Sequence, residues 1–158
     1  MNVQADILRS NMLACRQRVE KLRASLAKTH SFFPLSLTSI DTLDEAQQES
    51  IDALILRYSQ SVSMIQDQIF RGIAYLEQED IGDKSNRDKA LLMEKLGAIK
   101  SAEEFGTAAL LRNKFSHHYP DQSQLRVDRL NLVVAESQLV LQTFESISAY
   151  LKRKGFTP

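Results

Sequence analysis

A single cysteine, Cys15, is the only thiol in this chain. One thiol cannot close an internal disulfide, and no Cys-based zinc site can form within one chain, so a reducing, cytoplasmic setting fits best. Glycine (5) and proline (3) are also scarce. So few turn-formers leave room for long helices. Neither charge sign is in excess: 20 Lys and Arg balance 20 Asp and Glu. That balance excludes a uniformly basic nucleic-acid coat and an acidic tail. No apolar run approaches the roughly 18 residues of a membrane span, so no membrane partner is expected. The opening MNVQADILRSNML has early charges and no apolar block, so it does not read as a secretory leader. There is no low-complexity segment and no internal repeat. Histidine is rarer than glycine, with 3 residues, and two of them are adjacent at 117 and 118.

The length of 158 residues suits one compact domain, residues 1–158. Leu8, Met12, Cys15, Val19, Leu22 and Leu26 recur every three or four positions, which predicts a first long helix with Cys15 in its buried stripe. Its outer face holds Arg9, Arg16, Arg18, Lys21, Arg23 and Lys28. This reads as a solvated face, with a weak RNA-facing patch as the alternative. Pro34 breaks the pattern, and Phe32 and Phe33 are expected to pack that loop over a bundle end, with His30 at the surface or in the loop packing. A second long helix is expected from near Asp41, with the stripe Ile51, Leu54, Ile55, Tyr58, Val62, Ile65, Ile69, Ile73 and Leu76. Its acidic start could lie against the basic first helix. Residues 77–86 read as a loop. Ser85 starts a short helix that Gly97 stops, and Ser101 with Glu104 starts the next, which is expected to run through LLRNKFSHH to Pro120. Leu130, Val133, Val134, Val140, Leu141, Phe144, Ile147 and Leu151 form the last stripe, and Lys152, Arg153 and Lys154 suit the negative end of its dipole. Three long helices and a broken fourth predict an all-α fold, an antiparallel up-and-down helical bundle of four to five helices.

Common catalytic templates are missing: there is no GxGxxG, P-loop, HExxH or EF-hand. The unusual cluster is Arg112-Asn113-Lys114-Phe115-Ser116-His117-His118-Tyr119-Pro120, with no carboxylate in it. On an ideal helix Phe105, Ala108, Arg112, Phe115 and Tyr119 share a face, so Arg112 interrupts an apolar stripe and needs a partner. Asn113 and His117 form an i, i+4 pair. Arg112 and His117 stand about 140° apart, and converge only if the helix end is distorted or two chains meet. A histidine can move protons near neutral pH, and arginine binds phosphate with a planar fork. Together, without metal ligands, they suit RNA cleavage in which the ribose 2′-OH attacks the adjacent phosphate. Two histidines with no carboxylate or cysteine beside them make a weak metal site, so neither metal nor cofactor is expected.

The segment from Arg112 to Tyr119 resembles the R-x-x-x-x-H-x-Y pattern of HEPN-domain proteins, in the branch of HepT-like toxins. IDALILRYSQSVSMIQDQIFRGI resembles that branch's second helix, and KLGAIKSAEEF followed by LRNKFSHHYP resembles its linker and motif helix. The likeness covers roughly residues 45–150. It implies a small HEPN-like helical bundle that forms a homodimer or higher oligomer with two motifs in one cleft. It implies a metal-independent endoribonuclease acting on tRNA or mRNA, the toxin of a type VII-like toxin–antitoxin pair. The partner would be a minimal nucleotidyltransferase antitoxin that neutralises it by AMPylation of the motif tyrosine. By the resemblance, Arg112 stabilises the phosphate, His117 is the catalytic acid or base, Asn113 orients them, and Tyr119 is the modification site. Lys114, His118 and Arg57 would be substrate contacts. The alternative implied is a non-catalytic nucleotide- or partner-binding subunit of the nucleotidyltransferase.

Overall fold

The structure is a computed structural model, and it describes residues 2–115 and 123–156. It is all-helical, as the periodicity predicts. The chain runs through α1 (Val3–Thr29), a 3-10 turn (His30–Phe32), the short α2 (Leu37–Ile40), α3 (Glu45–Met64), a π-turn (Ile65–Ile69), α4 (Phe70–Leu76), α5 (Asn86–Leu96), α6 (Ala102–Lys114) and α7 (Ser123–Arg153). Among the described residues, no helix is long and apolar enough to cross a membrane.

Capping chemistry sets most of the boundaries. Asn2 accepts from the Gln4 and Ala5 amides at the start of α1. Ser85 and Ser101 cap α5 and α6, each accepting from the amide three residues on at 3.1 Å. Gly97 stops α5 in the left-handed region at φ 88°, where only glycine is unstrained. The second long helix starts later than Asp41. Asp44 is its N-cap, in a reciprocal capping box with Gln47, while Ser36 caps α2 before it. Both Asp41 and Asp44 offer a cap, and only Asp44 has a glutamine three positions on to answer it.

α3, the π-turn and α4 follow one another without a break, and the π-turn interrupts the regular α-helix predicted there. α1 packs against α3 in antiparallel fashion: Arg18 Nη1 donates to Gln60 Oε1 at 2.8 Å, and Arg57 Nη1 to Ser25 Oγ at 2.8 Å. Both of these bonds use neutral acceptors. Arg16 of α1 reaches α7, where it pairs with Glu145 and lies 4.5 Å over the Phe144 ring.

The main core takes the predicted stripes of α1, α3–α4 and α7, with Cys15, Leu54, Tyr58, Ile73, Phe105 and Phe144 almost fully enclosed. Burial pushes the Cys15 thiol up to about 12, so it behaves as a small apolar side chain. A second cluster of Leu35, Ile40, Ile51, Val127 and Leu130 closes one end. Phe32 and Phe33 pack on it, as expected of the Pro34 loop, and Asn131 of α7 clamps that loop by bonding both the amide and the carbonyl of Leu35. Phe115, directly after α6, packs against both clusters.

Candidate functional site at the end of α6

α6 begins at its Ser101 cap and is tied to its neighbours early. Glu94 of α5 accepts from the Ala102 amide at 2.9 Å, and Ser146 of α7 donates to the Ala98 carbonyl at 3.0 Å. Phe105 lies 5.1 Å from Phe70 across the interface with α4. Ala108 and Leu111 are buried. This apolar face orients the last turn, which carries Arg112, Asn113 and Lys114.

Arg112 is half-buried where the sequence predicts an interrupted stripe. Its Nη1 donates to Ser63 Oγ of α3 at 2.8 Å, and its Nη2 donates to Asn113 Oδ1 at 2.7 Å. Its Nε is buried with no acceptor. Both acceptors are neutral, and no carboxylate pairs with Arg112 among the described residues. The guanidinium is therefore fixed in place without being neutralised. Among the described residues one N–H on each of Nη1 and Nη2 remains uncommitted, which suits an incoming oxyanion.

Beneath it, Tyr58 is fully buried and its hydroxyl donates to the Ala108 carbonyl at 2.5 Å. Burial pushes this phenol's pKa upward; the Glu136 carboxylate adds to the effect, and the Arg112 guanidinium opposes it. Tyr58 thus stays a neutral donor locking α3 to α6. Glu136 of α7 is half-buried, with Oε2 unpaired, and its own carboxyl is raised by burial first and by Glu104 second.

Of the residues predicted from the sequence, Arg112 and Asn113 are brought together, and Lys114 follows half-buried in the same turn. Arg57 is directed elsewhere: it faces α1, bonding Ser25 and the Lys21 carbonyl. His117, His118 and Tyr119 lie outside the described residues. α6 ends at Lys114, with Phe115 as its C-cap, so the continuous helix predicted up to Pro120 stops earlier. The expected face-sharing of Tyr119 and the i, i+4 pairing of His117 with Asn113 therefore lie outside the described residues. Ser63 and Tyr58 were not legible as neighbours of Arg112, nor Glu136 as a neighbour of Tyr58 and Glu104. For Glu136 a signal existed, since it falls between the apolar residues Val133 and Val140 of α7, whereas Ser63 offers none. Compared with known proteins, the chain matches no family model, no curated protein and no solved structure.

Proposed function

We propose that this chain is a HEPN-type, HepT-like ribonuclease toxin whose cleavage centre is built on Arg112 and His117. The observation that carries the reading is the setting of Arg112. It is a half-buried guanidinium held by Ser63 and Asn113, with no acid among the described residues to neutralise it, five residues before a histidine. The all-helical bundle agrees with the fold that the motif implies.

In this reading His117 takes the proton from a ribose 2′-OH. The 2′-oxygen attacks the adjacent phosphorus, and the P–O5′ bond breaks as the leaving oxygen takes a proton from water. The products are a 2′,3′-cyclic phosphate and a 5′-hydroxyl. Arg112 stabilises the charge that builds on the phosphoryl oxygens. DNA, lacking the 2′-OH, is not cut. Asn113 fixes the guanidinium plane, and Lys114 and His118 contact the substrate. Two chains would pair to place two motifs in one cleft in the cytoplasm. A minimal nucleotidyltransferase partner would switch the site off by transferring AMP to Tyr119. The added phosphodiester would compete for Arg112, and its bulk would block the RNA.

The test is cleavage of total tRNA and mRNA in EDTA. The wild type should leave cyclic-phosphate ends, and His117→Ala and Arg112→Ala should each lose roughly 10²–10⁴-fold in rate. A wild-type protein inert on RNA, and harmless when expressed alone, would sink the proposal. ATP or nucleotidyltransferase binding without cleavage would instead make the chain a binding subunit.

A further inference from the structure

Between α5 and α6 runs a groove of about 810 Å³, which extends from the α5–α6 hairpin to Asn113. Its walls carry Leu91 from α5 and Leu110 from α6, both markedly exposed for leucine. Gln66, from the π-turn, also lines it. Gln66 is only 5% exposed, yet no hydrogen bond ties its amide to the described residues. Its amide is not among the fully enclosed polar atoms, so the little exposure Gln66 keeps opens the amide to the groove, and a donor and acceptor side by side match the edge of a nucleobase, adenine above all. π-turns of this kind recur at functional sites.

Two further features fit a flat aromatic guest. Gly106 gives one wall no side chain, and a Cβ built there meets nothing within 4 Å. The charged residues of its lining, Arg87, Glu94 and Glu103, leave one net negative charge, which disfavours a phosphate but not an uncharged base. The groove meets the candidate cleavage site at Asn113, which accepts from Arg112. We infer that the α5–α6 groove is a nucleobase-binding subsite in which Gln66 reads the edge of an unpaired adenine, with the neighbouring phosphate directed toward Arg112. The inference rests on the ribonuclease reading for its source of ligand, single-stranded RNA, whose bases are free to splay out.

The probe is a set of fluorescent 2′-O-methyl hexanucleotides, oligo-A, oligo-U and oligo-C, which bind but cannot be cut. Anisotropy with the full chain should show oligo-A bound most tightly. Gln66→Met, which keeps the volume and removes the amide, should weaken oligo-A about ten-fold and leave oligo-U and oligo-C nearly unchanged. Gly106→Leu should fill the groove and weaken all three while thermal unfolding shows an intact fold. Unchanged oligo-A affinity in both folded variants overturns the inference. So does a wild type that binds no oligonucleotide, or a Gly106→Leu variant that loses only self-association, which would make the groove a protein–protein surface. RNA cleavage read in parallel separates the two ideas. Cleavage that persists without base preference defeats this subsite alone. Base-selective binding with no cleavage defeats the ribonuclease reading and leaves the subsite standing.

Discussion

A carboxylate that is partly withdrawn from water and set near another carboxylate carries a charge that folding makes more costly, and Glu136 is in that position. Its folded pKa lies above the unfolded value, so in the pH interval between the two the folded state binds more protons. Stability from this group is fully present below the ordinary carboxylate range and is lost as pH rises through the raised value. Glu136→Gln should therefore melt higher than wild type at neutral pH, with the gap closing as pH is lowered toward 4. Melting curves across that range check it, and a gap independent of pH would refute it. Single residues were unevenly legible in the sequence. Arg112 announced its need for a partner by interrupting an apolar stripe, but the partner, Ser63, lies 49 positions away with no local signal. Arg57 looked equally available, and only the packing of α3 on α1 commits it to Ser25.

α6 carries two opposing local choices that can be weighed separately. Ser101 satisfies the Glu104 amide at its start, so Ser101→Ala should cost about 1 kcal/mol. Gly106 sits mid-helix with room for a Cβ, so Gly106→Ala should stabilise by about 0.5–1 kcal/mol. Urea titrations of both variants should show shifted midpoints with unchanged slopes. Helix starts and stops of this kind were readable because a cap is a contact between residues three apart. The π-turn was not legible: Ile65, Ile69 and Ile73, four apart, stay within about 80° of one another on an ordinary helix, so the stripe runs through it unchanged. The early end of α6 was also missed, because the proline rule places a stop at Pro120 and says nothing of a turn starting at Phe115.

Across the whole molecule the zero net charge conceals how the cations are distributed. Arg9 and Arg16 on α1 are engaged with Asp6, Glu20 and Glu145 and lie over Phe156 and Phe144, so the first helix's basic face is largely part of the scaffold. The cations left for a nucleic acid at the candidate site are few, chiefly Arg112 and Lys114. Two phosphate contacts on a single strand give a slope of about −1.4 for log affinity against log salt. Oligonucleotide titrations from low to moderate salt should find roughly that value per chain, and a slope several times steeper would mean that another surface binds. The bundle itself was legible because one periodicity, repeated in α1, α3–α4 and α7, settles which faces meet. The site was legible only as far as its motif, since what surrounds Arg112 is decided by helices crossing far apart in sequence. The π-turn has a last consequence, for the length of the chain. It holds one residue more than an uninterrupted helix needs, while Phe70 and Ile73 beyond it still face the core. Removing exposed Asp67 or Gln68 would let the rod close into ordinary helix with those anchors in place. A one-residue deletion, ruinous elsewhere in a buried helix, would here yield a shorter protein that folds as before.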